Sequence, residues 1–160
     1  MAFNNLESPT PFSDIYKSFL SKITDDMYME LTEEDTEKML FELFESALPH
    51  FEFPRVDIFS YDENGYSIHL SNEEVNIIST YMVVEWLGQQ LASVENTRMK
   101  YSGSDFKFTS QANHMAKLQS LKANYTQKGF HLQRLYKRRK ADENGIMRST
   151  FGSIMEVKED

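Results

Sequence analysis

The sequence predicts a mainly α protein: a helical bundle with two long helices, a small β-hairpin insertion and extended N- and C-terminal arms. Apolar residues recur at helical intervals in several segments, and one Asn-Gly dipeptide separates two short strand-like runs. Neither end of the chain carries a helical stripe of its own. With 160 residues, 40% of them hydrophobic, the chain has room for one core. We expect an N-terminal arm at 1–11, a helical domain at 12–140 with the hairpin at about 55–70, and a C-terminal docking arm at 141–160.

Two shorter helices are expected in the first third of the chain. Ser13 precedes an apolar set with the spacing of one helical face, namely Ile15, Tyr16, Phe19, Leu20 and Ile23. Thr32 is typical of an N-cap, and the three acidic residues that follow it are favoured at the positive N-terminal end of a helix dipole. The apolar stripe that begins at Met39 ends before Pro49, which cannot continue a helix.

Residues from Phe51 to Leu70 favour strands, with Asn64-Gly65 between the two runs. This dipeptide is preferred at the centre of a tight hairpin turn because both residues tolerate positive φ. Two strands alone are marginally stable in water. The hairpin is therefore expected to lie on the helices or to extend a neighbouring chain's sheet.

The two long helices follow. Ser71 and Glu74 have the spacing of a capping box, and the apolar residues after them indicate a helix buried on more than one side, extending to about Lys100. Thr109 or Ser110 is expected to cap the last helix, which would end at about Lys140. Its predicted buried stripe consists of Leu118, Leu121, Tyr125, Leu132 and Tyr136. Gly129 is its weakest helix former.

The residues give no signature of catalysis. The absence of Cys excludes thiol catalysis and Cys-based zinc sites, and the four His do not have the paired spacing of a helical zinc site. There is no glycine-rich phosphate loop and no nucleophile-elbow pattern. The longest apolar run, Tyr81 to Val84, is far too short for a membrane span, and the N-terminus lacks a secretion signal. We expect no enzyme activity, catalytic residue, metal, cofactor or membrane partner.

The net charge of −8 conceals a strong polarity. Residues 1–97 contain four Lys and Arg against nineteen Asp and Glu, whereas residues 98–148 contain twelve Lys and Arg against three acids. Such a chain can neutralise itself by folding one part on the other, or by meeting the next copy head to tail.

The basic residues are concentrated near the end of the last helix. Lys117, Lys128, His131, Arg134 and Arg138 fall on one side of it, and Lys137, Arg138, Arg139 and Lys140 close it. Three interpretations stay open: the cations stabilise the helix C-terminus, pair with acids of the next subunit, or face phosphates. Beyond this helix, Phe151, Ile154 and Met155 lie on the expected arm and indicate a docking segment.

The stretch from Leu70 to Lys140 reads LSNEEVNIISTYMVVEWLGQQLASVENTRMKYSGSDFKFTSQANHMAKLQSLKANYTQKGFHLQRLYKRRK. This stretch, together with the expected order of elements, resembles head-to-tail connector (adaptor or neck) proteins of tailed double-stranded DNA bacteriophages. The resemblance implies a small structural subunit of the virion, assembled in the host cytoplasm. Such subunits form a ring beneath the capsid portal, and the genome passes through its centre without sequence-specific contacts.

The resemblance also implies partners for particular residues. The ring would be a homo-oligomer, expected to be dodecameric, and its C-terminal arm would dock on the portal protein through Ile146, Met147, Phe151, Ile154 and Met155. Asn64 and Gly65 at the hairpin would face an adjoining neck or tail protein. The basic set would face the neighbouring subunit, the portal or DNA; it comprises Lys128, Arg134, Lys137, Arg138, Arg139 and Lys140.

A second hypothesis comes from a different class. The tract 128–140 would serve a small nucleic-acid-binding regulatory protein, whose affinity falls steeply with salt. A net charge of −8 and the absence of a base-reading motif argue against a free-standing DNA binder.

Overall fold

The computed structural model describes residues 8–23, 32–100, 108–141 and 146–149. Within these ranges the chain forms four α-helices, so the prediction of a mainly helical protein is confirmed. The helices are α1 (Phe12–Leu20), α2 (Glu33–Ala47), α3 (Asn72–Lys100) and α4 (Phe108–Lys137). A short 3-10 helix, Leu48–His50, follows α2, and two three-residue strands follow α4: β1 (Arg139–Ala141) and β2 (Met147–Ser149).

Local capping explains where two of the helices begin. The Thr32 hydroxyl accepts a hydrogen bond from the Asp35 N–H at 3.2 Å, as predicted for the start of α2. At the start of α3, the Ser71 N–H donates to Glu74 Oε2 at 2.7 Å and the Glu74 N–H donates to the Ser71 hydroxyl at 3.3 Å. This is the predicted capping box. Helix α1 starts earlier than expected, since Pro11 is its N-cap and Ser13 lies in its first turn.

Helix α3 is the centre of the bundle. It packs against α1 and α2 and, most extensively, against α4. Its buried residues occupy several sides of the helix, in agreement with an apolar zone wider than one stripe. They are Ile77, Ile78, Tyr81, Met82, Val83, Val84 and Leu87. Helix α4 shares no comparable contact with α1 or α2, so it covers a side of α3 that they leave open.

The predicted hairpin at 55–70 is wrong. Residues 51–71 contain no strand, and Gly65 instead forms an isolated antiparallel bridge with Pro11. Backbone groups of this loop bond to the segment before α1: Thr10 N–H to Ile68 O at 3.0 Å and Tyr66 N–H to Thr10 O at 2.9 Å. Because residues 10–12 satisfy these groups, the loop has no need to pair with itself.

The Asn64-Gly65 turn also lacks the geometry that a two-residue hairpin requires. Gly65 has φ +143°, whereas Asn64 has no positive φ. A type I′ turn needs positive φ at both central residues. The loop is held instead from inside, where the buried Tyr66 hydroxyl donates to the Ile58 carbonyl at 2.7 Å.

The described part of the chain does contain a hairpin, but at a different place. Strands β1 and β2 pair antiparallel, with Arg139 opposite Ser149 and Ala141 opposite Met147. The last helix accordingly ends at Lys137 rather than at Lys140. Strand β2 runs back toward the end of α4, because it is antiparallel to a strand that leaves that end.

Candidate interaction surfaces

The basic end of α4 is held rigidly on the start of α3 by a buried tyrosine. Tyr136 is only 2% exposed, and its hydroxyl donates to Glu74 Oε1 at 2.6 Å while accepting from the Arg55 N–H at 2.8 Å. Burial, and then the hydrogen bond to Glu74, raise the pKa of Tyr136. The C-terminal end of α4, from which the cations project, is therefore tied to the start of α3.

Arg55 completes this anchor from outside the helix. Its guanidinium carbon lies 3.8 Å from the centre of the Tyr136 ring, a cation–π contact. The same guanidinium donates to the main-chain carbonyls of Tyr136 and Arg139, which are groups at the C-terminal end of α4 and just after it. The Tyr136 carbonyl is one of those that a helix end leaves without intrahelical partners.

The predicted basic residues fall into different environments. Arg139 forms a salt bridge within the chain, between its guanidinium and the Glu73 carboxylate of α3. The Lys128 ammonium lies 5.5 Å from the Tyr125 ring centre and remains exposed. Arg134 and Arg138 are exposed on α4 and just beyond its end. For Lys140 the structure describes the backbone alone.

Two phenylalanines that the sequence did not single out stand among these cations. Phe53, 61% exposed, and Phe130, 55% exposed, line one groove together with Arg134 and Lys137. The Lys137 ammonium lies 4.4 Å from the centre of the Phe53 ring. We call these four residues the basic aromatic surface. Its signal in the sequence is Phe130, an aromatic residue outside the predicted buried stripe and next to the basic side of the helix.

A second surface, of opposite charge, lies between α1, α2 and the loop that follows Ile58. This cleft has a volume of about 870 Å³ and an aromatic floor formed by Phe12, Tyr16, Phe41 and Tyr61. Four carboxylates line it, Glu34, Glu37, Asp62 and Glu63, together with the single cation Lys38. We call it the acidic cleft.

The electrostatics of the acidic cleft are visible in its tyrosines. Burial, and then the nearby charges of Glu37 and Glu45, raise the pKa of Tyr16 to about 12. The pKa of Tyr61 is raised as well, by burial and by Glu45, to which its hydroxyl donates at 3.1 Å. Negative charge thus surrounds an apolar floor.

The two surfaces belong to different sides of the bundle. The acidic cleft is built on α1 and α2, whereas the basic aromatic surface is built mainly on α4, and α3 lies between these layers. The charge polarity of the sequence therefore becomes a spatial polarity. Among the described residues, the four carboxylates of the acidic cleft lie on other elements than the cations Arg134 and Lys137.

The remaining predicted contact residues are placed as follows. Asn64 is exposed, but Gly65 is buried against the segment before α1. Ile146 is 55% exposed, and Met147 begins β2. Phe151, Ile154 and Met155 lie outside the described residues.

The described residues offer no sign of a metal centre. They contain no group of three or more His, Cys, Asp or Glu that could hold an ion. His50 instead pairs with Glu85 at 2.7 Å and stacks on the Tyr81 ring at a centroid distance of 5.0 Å. None of the helices described is long and apolar enough to cross a lipid bilayer.

Comparison of the chain with protein-family models, with curated proteins and with solved structures yields no match.

Proposed function

We propose that this protein is a structural subunit of a bacteriophage neck, forming a homo-oligomeric ring that joins the capsid portal to the tail and surrounds the DNA exit channel. The proposal rests on the resemblance of Leu70–Lys140 to head-to-tail connector proteins. It assigns the chain no enzymatic activity and no cofactor. The site of action would be the virion, after assembly in the host cytoplasm.

The observation that carries the proposal is the separation of opposite charge onto two sides of one bundle. A cleft with four carboxylates and a surface with exposed cations on α4 make each subunit electrostatically complementary to its own copy. Heterologous contacts of this kind generate a ring when the rotation between subunits closes. The Tyr136 anchor supports it further, since a rigid basic surface loses little entropy on docking.

The proposed portal contact uses the end of the chain. Strand β2 runs back toward the end of α4, and Ile146, which precedes it, is exposed. We assign portal docking to Ile146, Met147 and the following segment with Phe151, Ile154 and Met155. Asn64, which is exposed and also lines the acidic cleft, would contact an adjoining neck or tail protein next to the cleft, whereas Gly65 is buried.

Light scattering on the purified chain, alone and mixed with the portal protein of the phage that encodes it, tests this function. We expect a ring-sized multiple of 18.8 kDa, alone or on the portal, that co-elutes with the portal when both are present. A chain that stays at 18.8 kDa in both samples and elutes separately would overturn the proposal.

A nucleic-acid-binding role is the second candidate. It is favoured by an exposed aromatic residue, Phe130, among the exposed cations Lys128 and Arg134, because bases stack on aromatic rings while cations contact phosphates. Double reversal of Lys128 and Arg134 to Glu should then abolish binding to a DNA duplex or single strand. Arg139 is unsuitable for this test, since its reversal would break the pair with Glu73. Binding that is absent at low salt would exclude this role.

A further inference from the structure

The basic aromatic surface and the acidic cleft are complementary in charge, and both carry aromatic rings. The first presents two exposed phenylalanine rings, Phe53 and Phe130, flanked by Arg134 and Lys137, and its groove also contains one carboxylate, Glu52. The second is a concave site with an aromatic floor and a rim that carries four carboxylates. Each surface supplies what the other lacks: exposed rings with cations on one, and an aromatic floor with carboxylates on the other.

We propose that the basic aromatic surface of one copy seats in the acidic cleft of the next copy, forming a heterologous head-to-tail interface. This inference rests on the proposed ring assembly and names the two surfaces that build it. The occupant of the cleft is a second copy of this chain, because the acid-rich rim selects a partner with exposed cations next to apolar rings, and this chain carries such a partner.

Size and chemistry agree with this pairing. Aromatic side chains bury about 150–250 Å² each and are the residues that most often dominate interface energetics. A cleft of about 870 Å³ leaves space for more than one such ring on its floor. Offset and edge-to-face contacts with Phe12, Tyr16, Phe41 and Tyr61 are available there, and these four rings already pack on one another in that manner.

The charges determine direction. Arg134 and Lys137 would lie opposite Glu34 and Glu37 of α2, while a copy turned the other way would bring carboxylates against carboxylates. Because the basic aromatic surface of one copy meets a different surface of the next, the proposed contact is heterologous, and like surfaces brought together would repel. Every open chain of subunits then has a free basic aromatic surface at one end and a free acidic cleft at the other, as ring growth requires.

The test uses one variant for each surface. A surface variant with Phe130→Ser and Arg134→Ala removes a ring and a cation, so that its mutated surface cannot attract a cleft whose rim charges are reversed. A cleft variant with Glu34→Lys and Glu37→Lys reverses two rim charges. All four residues lie outside the buried core, and unchanged circular dichroism and melting temperature verify folding. Matched controls reverse one charge on the same helices outside both surfaces: Lys117→Glu on α4 and Glu42→Lys on α2, both exposed.

Sedimentation velocity at low salt, on each variant and on an equimolar mixture of the two, gives the decisive masses. We expect the dissociation constant for self-association of each variant alone to rise by at least about 100-fold, while that of both controls stays at the wild-type value. The mixture should form a dimer and nothing larger, because one intact cleft meets one intact basic aromatic surface and the two mutated surfaces terminate growth. Raising the salt should weaken this dimer, as expected for exposed charge pairs.

Other outcomes separate this interface from the proposed function. If both variants still form the same assemblies as the wild-type protein, the pairing of these two surfaces is overturned while the proposed ring function stands. Mutated chains that each fail to associate, and fail in the mixture as well, would overturn the head-to-tail direction. If wild-type protein is monomeric alone and on the portal, the proposed function fails and the pairing fails with it.

Discussion

Gly129 in α4 offers the sharpest test of how the two long helices cross. A Cβ atom at this position would lie 2.6 Å from Tyr81 Cζ and 2.9 Å from its hydroxyl oxygen on α3. Gly88 on α3 provides the matched control, since a Cβ there would meet only the flexible Lys122 ammonium, at 3.4 Å. The same Gly→Ala change thus meets a buried ring in one helix and nearly open space in the other.

The expected free energies follow from these contacts. Ala is favoured over Gly within a helix by about 1 kcal/mol, so Gly88→Ala should stabilise the protein by up to about 1 kcal/mol. Gly129→Ala gains the same amount but overpacks a buried site, which costs about 1–3 kcal/mol. Tyr81 cannot move aside freely: its ring stacks on His50, and its hydroxyl accepts from Gln133 at 2.7 Å. Loss of that hydrogen bond adds about 1 kcal/mol.

We therefore expect Gly129→Ala to destabilise the fold by about 1–3 kcal/mol, a change of opposite sign from Gly88→Ala. Urea unfolding followed by far-UV circular dichroism measures both free energies of unfolding. A Gly129→Ala protein that is as stable as Gly88→Ala would refute the described crossing of α3 and α4.

Three further predictions concern the anchor, the loop and the tyrosines. Tyr136→Phe should lower the free energy of unfolding by about 2–3 kcal/mol, because it leaves the Arg55 N–H and the Glu74 carboxylate without their partner. The control Tyr125→Phe removes one half-exposed hydrogen bond to the Lys22 carbonyl and should cost less than about 1 kcal/mol; equal losses of the two variants in denaturant unfolding would contradict the anchor. Gly65→Ala should lower the free energy of unfolding by about 2–4 kcal/mol, because φ is +143° and a Cβ would lie 2.6 Å from the Thr10 carbonyl oxygen. The control Asn64→Ala should change it by no more than about 0.5 kcal/mol; equal melting temperatures for the two variants would be inconsistent with this docked loop. Burial raises the pKa of several tyrosines, that of Tyr16 to about 12, so unfolded tyrosines lose their protons first. The tyrosine contribution to stability is full below about pH 10 and should fall as the pH rises toward 12; unfolding free energies at about pH 9 and pH 11 that agree would exclude this linkage.

Features that depend on neighbours in sequence could be predicted from it. The caps at Thr32 and at Ser71 with Glu74 involve residues three apart, and the structure contains both. The charge polarity could also be counted from the residues alone. Its consequence, two oppositely charged surfaces built on different helices, required knowing which helices pack together.

The hairpin prediction failed because the partner of the loop is distant in sequence. Asn64-Gly65 has the composition of a tight turn, but Tyr66 and Ile68 bond to Thr10, more than fifty residues away. No local pattern marks Thr10 as a strand partner, and the bridge involves Pro11, which has no N–H to donate.

The basic aromatic surface could be predicted only in part. Its cations were expected from their spacing on the last helix, but Phe53 comes from a loop whose path depends on the Tyr136 and Arg55 contacts. The predicted stripe also overestimated burial: Leu118 and Tyr136 are buried, while Leu121 is 37% exposed. The side of α4 that faces α3 is set in part by the close approach of Gly129 to Tyr81, which helical periodicity does not reveal.

Head-to-tail association of identical subunits is the central claim, and the mass of the mixed variants tests it most directly. A surface variant and a cleft variant, each monomeric at 18.8 kDa alone, should combine into a species of twice that mass and no larger. Two variants that remain monomeric when mixed, beside a wild-type chain that assembles, would contradict the claim.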